Sequence, residues 1–271
     1  MNRLSPFNVV SLTLGFAFLY LPMIILVIYS FNASKLVTVW AGFSTQWYGE
    51  LLRNEAFLDA ALVTLKVAVL TSTLATVLGT CTAYVLVRIH RFPGRTLFSG
   101  MAFAPLVMPD VILGLSLLLL FIGVGVDRGV LTIVLAHTTF AMCYVSVVVS
   151  SRLVAFDQSL EEAALDLGAT PWETFRLVTL PIIAPAVISG WLLAFTLSLD
   201  DLVIASFTAG PSSTTLPMKI FSAVRLGVSP EINALSTIMI SIVTVGVIAA
   251  SLLSKRAAVQ RVREEKAAER A

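Results

Sequence analysis

Three aspartates interrupt otherwise apolar stretches of this sequence, and they are its clearest candidates for chemistry. Asp110 follows Met108-Pro109, while Asp200 and Asp201 end a charge-free run over 177–199. A carboxylate at the centre of a membrane helix costs about 2.5–3.5 kcal/mol, so it is expected to face a cavity or a partner. Two kinds of chemistry suit such acids. They either attract a cation along a transport pathway or share a proton to activate water, as in an intramembrane aspartyl protease.

Adjacent residues are about 100° apart on a helix, so Asp200 and Asp201 cannot point the same way. We expect one to face the pathway and the other to pair with a cation or cap a helix end; the spacing does not say which. Three aromatic residues, Trp191, Tyr144 and Tyr20, are candidate pathway residues, because aromatic faces and carboxylates together attract protonated amines. Anchoring at the lipid interface is the alternative for each of them.

The protease interpretation is the weaker one. The glycine that flanks the aspartate of such proteases is missing, because Asp110 lies in Met-Pro-Asp-Val and Asp201 in Leu-Asp-Asp-Leu. His137 is a further polar residue in an apolar run. We expect it to make a hydrogen bond within the helix bundle, with a proton relay as the alternative.

The composition of the sequence indicates that the candidate acids and aromatic residues lie on membrane helices. The sequence is 58% hydrophobic and 13% charged, with a mean hydropathy of +0.94. A soluble domain carries about a quarter charged residues. Crossing a bilayer takes about 20 helical residues. We therefore predict an all-α integral membrane protein with a single transmembrane domain over residues 1–271, whose six helices span about 9–31, 60–87, 97–122, 130–151, 182–206 and 232–253. Pro105 and Pro109 should kink or break the third span.

The distribution of Lys and Arg predicts the orientation. With an inside N-terminus, twelve lie in the inside segments and five in the outside loops, which places both termini in the cytoplasm. The basic tail contains Glu264, Glu265 and Glu269 as well, so nucleic-acid binding is not expected. No G-x-x-x-x-G-K-[ST] motif occurs, so a separate subunit must use ATP if transport needs it.

The longest inside connection, residues 152–181, has the pattern of two capped helices. Ser159 to Glu162 has the form of a capping box, and Thr170 to Glu173 forms a second one with Pro171 at the first helical position. Gly168 stands where a left-handed turn would end the first helix. Trp172 and Phe175 share a face of the second helix. They suit docking in a groove of a partner, with packing against the chain's own bundle as the alternative.

These residues also carry a family resemblance. Glu162-Ala163-Ala164, Gly168, Val178 and Leu180-Pro181 resemble the EAA signature of ABC importer permeases, with Val178 in the place of the usual isoleucine. The motifs Ser30-Phe31-Asn32, Ala104 to Asp110 and Phe195 to Asp201 are similar to the spermidine/putrescine branch of that family, so the resemblance extends over nearly the whole chain.

The resemblance implies a type I ABC importer permease of a bacterial inner membrane, which binds no cofactor itself. Its implied partners are a second homologous permease, two copies of a cytoplasmic ATPase that uses ATP, and a periplasmic polyamine-binding protein. The residues carried over to the ATPase contact are Glu162, Ala163, Gly168, Trp172 and Phe175. Putrescine, and spermidine as a further polyamine, would be the cargo; another small cation, such as an amino acid or an iron complex, is the alternative.

Overall fold

The structure is a computed structural model that describes residues 5–36, 39–89, 91–226, 230–242 and 244–245. The described parts of residues 1–55 and 222–271 form one compact unit, and those of residues 56–221 form a second. No β-strand occurs in these ranges; a single antiparallel bridge joins Asn32 to Phe43.

The first unit begins with helix α1 (Pro6–Tyr29), which contains no buried residue. The loop after it is organised by Asn32, a residue that is 1% exposed. Its side-chain oxygen accepts the N–H groups of Ser34 and Ala41, and its carbonyl accepts the indole N–H of Trp47 on helix α2 (Gln46–Arg53). Asn54 then donates to Glu231 in the helical segment 230–242. The buried asparagine thus closes a long loop by satisfying its backbone donors.

The second unit contains three long helices and a set of short ones. The long helices are α3 (Glu55–Arg88), α6 (Val130–Ala155) and α9 (Leu180–Asp200). The others are α4 (Arg95–Phe103) with a 3₁₀ turn over Ala104–Leu106, α5 (Asp110–Gly123), α7 (Ser159–Asp166), α8 (Pro171–Thr174), a π-helical turn (Phe175–Thr179), α10 (Val203–Thr208) and α11 (Leu216–Leu226), which runs past the end of this unit.

Small residues let α3 and α9 approach α6 closely. A Cβ added at Gly79 of α3 would lie 2.8 Å from the Cβ of Val145, and one at Gly190 of α9 would lie 3.1 Å from Cγ1 of the same valine. Ala75, Ala83, Ala141 and Ala194 belong to the core around Val145. This is the packing expected of membrane helices, whose association depends on close backbone approach.

Four described helices are long and apolar enough to cross a membrane: α1, α3, α6 and the continuous helical run Pro171–Asp200. The predicted third span, 97–122, is not one helix. It consists of Arg95–Leu106 and Asp110–Gly123, bent by 114° at the break between them. Pro105 and Pro109 explain the break, because each lacks a backbone donor and Pro109 disfavours helix at Met108.

One further predicted span differs from the structure at its end, and another lies partly outside the described residues. The span 182–206 is wrong at its end, because α9 stops at Asp200 and a separate helix, α10, follows. The predicted sixth span, 232–253, lies partly outside the described residues; within them, residues 230–242 are helical.

Candidate functional site

The first candidate site is the break between α9 and α10. Asp201 is extended, with φ −64° and ψ 123°, and its Oδ1 accepts the backbone N–H of Ala205 at 2.8 Å. The carboxylate therefore caps the first turn of α10, a position where negative charge is favourable. This capping interaction is the physical reason that the helix predicted over 182–206 ends early.

His137 of α6 fixes the same carboxylate from the other side. Its Nε2 lies 3.2 Å from Oδ1 of Asp201, and its Nδ1 is 2.8 Å from Oγ of Ser198. The histidine is 2% exposed, so this cluster joins α6, α9 and the break inside the unit. The prediction that His137 makes a hydrogen bond within the bundle is confirmed.

Asp200 is in a different situation. It is the last residue of α9 and is exposed, and neither ion pair found among the described residues involves its carboxylate. Of the two adjacent acids, Asp201 is therefore used within the fold. Asp200 is the one whose charge is available to a ligand.

Asp110 is the first residue of α5, directly after the extended Pro109, and it is also exposed. A carboxylate in the first turn interacts favourably with the helix dipole, so part of its role is structural. It occupies the point where the α4–α5 pair bends. Broken helices of this kind are typical of binding sites within membrane transporters.

Each of the three predicted pathway aromatics packs against another aromatic ring, and their role in a pathway stays a prediction. Trp191 stacks on Phe195 at 5.3 Å and donates its indole N–H to Thr73. Nine residues separate Trp191 from Asp200, so the two lie on opposite faces of α9. Tyr144 contacts the ring of Phe140, and Tyr20, in the first unit, stacks on Phe16.

The second candidate site is the connection over residues 152–181. Helix α7 is followed by Gly168 in a left-handed conformation, with φ +92°, as predicted. Thr170 and Glu173 form the predicted capping box, and Pro171 is the first residue of α8. The backbone N–H and the hydroxyl of Thr170 both donate to Oε2 of Glu173, and these two hydrogen bonds lower the pKa of the Glu173 carboxyl.

The first predicted capping box is wrong. Ser159 is already helical, and its backbone N–H donates to Oδ1 of Asp157 at 3.0 Å. That bond lowers the pKa of the Asp157 carboxyl. The aspartate two residues earlier thus supplies the oxygen that the serine was expected to supply. Glu162 is consequently free of the box and exposed.

The residue that the sequence interpretation missed is Glu161, which is 7% exposed. Its Oε2 lies 2.6 Å from Nε of Arg88 at the end of α3, and its Oε1 accepts the hydroxyl of Thr179 at 2.5 Å. Arg88 also donates to the Leu153 carbonyl and lies over the ring of Phe156. Glu161 therefore links α7 to α3 and to the turn that begins α9.

No spacing signal singled out Glu161. Helix α7 turns this charged residue inward, while Leu160 and Leu165 are 49% and 44% exposed. Leu167, after α7, is 89% exposed, and Trp172 is 67% exposed. Phe175 is half-buried, with its ring 5.1 Å from that of Tyr84 and 5.7 Å from that of Trp172. Phe175 therefore packs on the chain itself, as the second interpretation expected, and docking of the exposed Trp172 in a partner stays a prediction.

Comparison with known proteins gives this geometry its context. The model of the family described as "binding-protein-dependent transport system inner membrane component" matches residues 75–264. The chain belongs to this family. It is a membrane-spanning permease component and not a protease, so the aspartyl protease interpretation is replaced.

Two curated relatives of this permease component are similar over most of its length. The putrescine transport system permease protein PotI of Escherichia coli (strain K12) is 60% identical over 280 residues, covering 100% of both chains. The spermidine/putrescine transport system permease protein PotC of the same strain is 45% identical over 244 residues, covering 90% of this chain and 92% of its own.

Solved structures agree on the fold. A chain of a bacterial ABC transporter involved in the import of the acidic polysaccharide alginate superposes with a TM-score of 0.72 at 17% identity, covering 94% of this permease component and 99% of that chain. A chain of an amino acid ABC transporter superposes with a TM-score of 0.57 at 18% identity, covering 78% of this permease component and 98% of that chain. The predicted all-α membrane permease fold is confirmed.

Proposed function

We propose that this permease component carries polyamines, putrescine and with it spermidine, inward across the bacterial inner membrane. The similarity to a putrescine permease over the whole chain supports the cargo. A second homologous permease, two copies of an ATPase and a periplasmic binding protein complete the machine. The chemistry of the cargo fits, because a polyamine is a row of protonated amines that exposed carboxylates attract.

The observation that carries the proposal within the chain is the different use of two adjacent acids. Asp201 is held by His137 and by the N–H of Ala205, whereas Asp200 is exposed at the end of α9. Asp200 therefore contributes a pathway charge, and Asp110 contributes a second at the α4–α5 break. Trp191, Tyr144 and Tyr20 remain candidate pathway aromatics, because their ring faces would attract protonated amines.

The test compares Asp200→Asn with Asp201→Asn in the assembled complex. Each variant removes one charge and keeps the shape. Asp200→Asn should leave the amount of complex unchanged and raise the KM for putrescine by about tenfold, the effect of losing roughly 1.4 kcal/mol of Coulomb attraction. Asp201→Asn should instead lower the amount of folded complex, because a neutral amide is a weaker acceptor than a carboxylate for His137 and for the first turn of α10.

The outcome is read by uptake of radiolabelled putrescine and spermidine in cells that lack their own polyamine importers. The loss in Asp200→Asn should be larger for spermidine, which has more protonated amines. Parent-like uptake by the assembled Asp200→Asn and Asp110→Asn complexes would remove the pathway assignment. A complex that takes up another cation but neither polyamine would refute the proposed cargo.

The connection over residues 152–181 is proposed as the ATPase contact, with Glu162, Ala163, Gly168 and Trp172 at the surface and Phe175 behind them. Leu160, Leu165, Leu167 and Trp172 are exposed apolar side chains in this connection, and a partner groove would cover them. An ATPase contact at this connection requires the connection and both termini to be cytoplasmic.

The orientation is tested by labelling introduced cysteines. Cysteines placed at Ser44 and Ser212 should react with an impermeant thiol reagent in intact cells, whereas one at Ser159 should react only after permeabilisation; the reverse pattern would refute the orientation.

A further inference from the structure

A cavity of about 570 Å³ lies where α3 and α6 end. Its wall combines apolar residues with two arginines, an aspartate and a glutamine. The residues that line it are Leu86, Val87, Arg88, Arg95, Val154, Phe156, Asp157 and Gln158. Helix α3 has 34 residues, a length of about 50 Å, which exceeds the thickness of a bilayer with its headgroups. The cavity at its end therefore lies at the level of the lipid headgroups or beyond.

Both arginines hold the end of a helix and still have donors to spare. Nη2 of Arg95 donates to the Leu86 carbonyl at 3.0 Å, and Nη1 of Arg88 donates to the Leu153 carbonyl at 3.3 Å. Nη2 of Arg88 is buried without an acceptor. A buried donor of a charged group that lacks an acceptor costs free energy, so an acceptor in the cavity would be favourable.

The charges of the wall indicate what kind of acceptor fits. Glu161 balances Arg88, which leaves Arg95 as the cation of the cavity and Asp157 as its anion. The pKa of Asp157 is lowered by the hydrogen bond from the Ser159 N–H, so the carboxylate stays charged at neutral pH. A wall with one charge of each sign is matched by a zwitterion rather than by a simple anion.

We propose that this cavity binds the headgroup of a phospholipid that carries both a phosphate and a primary ammonium, as phosphatidylethanolamine does. The phosphate accepts from Arg95 and from the spare donor of Arg88, and the ammonium donates to Asp157. The side chains of Val87 and Val154 lie beside these groups in the wall, and Val154 is 72% exposed, so an acyl chain can lie along them. The site is independent of the transported cargo.

The test measures lipid binding to the purified complete complex by native mass spectrometry. The probes are dioleoyl phosphatidylethanolamine, phosphatidylglycerol and phosphatidylcholine. The parent should prefer the ethanolamine lipid, since phosphatidylglycerol lacks the ammonium and the quaternary ammonium of choline cannot donate a hydrogen bond. Arg95→Gln should weaken the ethanolamine lipid about tenfold, the effect of losing one charge-assisted hydrogen bond. Arg91→Gln is the matched control, because Arg91 is in the same connection but not in the wall, and it should bind as the parent does.

Asp157→Asn gives the sharpest outcome. It should reverse the preference toward phosphatidylglycerol, because the wall is then net positive. Equal lipid binding by the parent, Arg95→Gln and Asp157→Asn would overturn the proposal. So would displacement of the lipid by millimolar inorganic phosphate alone, which would show a free-phosphate site, or lipid binding only after removal of the ATPase, which would show a protein interface.

Discussion

Arg88 and Glu161 form a buried ion pair. Replacing either residue alone should destabilise the protein, whereas replacing both together should have little effect on its stability. Glu161→Leu leaves the Arg88 side chain, which is 11% exposed, without a carboxylate, and Arg88→Met leaves the Glu161 side chain, which is 9% exposed, with only the Thr179 hydroxyl. Removing one member of a buried pair costs about 3–5 kcal/mol, whereas replacing both by apolar residues of similar volume is about neutral. Because both side chains retain some exposure, we expect about 3 kcal/mol for each single variant.

The assay is thermal unfolding of the detergent-purified permease component. A loss of about 3 kcal/mol corresponds to a fall of about 6–12 °C in Tm for a chain of this size. The double variant should recover most of that fall, so the double-mutant cycle should give a coupling free energy of about 5 kcal/mol, because two losses of about 3 kcal/mol are replaced by a loss of at most about 1 kcal/mol. Glu162→Gln is the matched control, because the carboxylate of Glu162 is exposed. This substitution should change the free energy of unfolding by less than about 0.5 kcal/mol.

Additive effects of the two single variants would refute the reasoning, and so would equal effects of Glu161→Leu and Glu162→Gln. A further contrast separates stability from coupling. Glu162→Gln should weaken retention of the ATPase during purification while leaving Tm unchanged. Glu161→Leu should mainly lower Tm, because the partners of Glu161 lie within the chain.

Three more outcomes follow from single positions. Gly168→Leu should insert normally but lose ATPase co-purification or substrate-stimulated hydrolysis, with Gly168→Asn milder because asparagine tolerates positive φ; normal transport by the leucine variant would contradict this. Gly210→Ala should lower Tm by several degrees, since its Cβ would lie 2.0 Å from the Arg128 carbonyl oxygen; an unchanged Tm would contradict that contact. The Glu173 carboxylate, whose pKa is lowered from the ordinary value of 4.5, should stabilise the Thr170 cap at pH values above 4.5, and this stabilisation should be lost as the pH falls and the carboxylate is protonated. The Tm advantage of the parent over Glu173→Gln should therefore shrink in acid, and a constant difference would contradict the cap.

The sequence predicted local features correctly where the residues that determine them are close together in the chain. The left-handed Gly168, the capping box of Thr170 and Glu173 and the break near Pro109 all depend on neighbours within a few residues. Such features are decided by backbone geometry and by missing or supplied hydrogen-bond donors, which a sequence displays directly.

The features that were missed depend on distant parts of the chain. At the end of α9, Asp201 caps the next helix through the Ala205 N–H and also lies beside His137 of another helix, a contact that the local sequence does not reveal. The buried role of Glu161 needs Arg88 at the end of α3. The usual rule that the inward face of a helix is apolar gives the wrong buried face for α7, because this helix buries a carboxylate and exposes leucines.

The π-helical turn over Phe175–Thr179 has a consequence for the angle at which Asp200 is presented. Its backbone bond runs from the Leu180 N–H to the Phe175 carbonyl, one residue farther back than in an α-helix. Deleting one residue there would restore an α-helix and turn all of α9 by about 100° relative to α7. The inserted residue therefore sets the rotation of α9 about its axis, and with it the direction that Asp200 faces for a given position of the connection over residues 152–181.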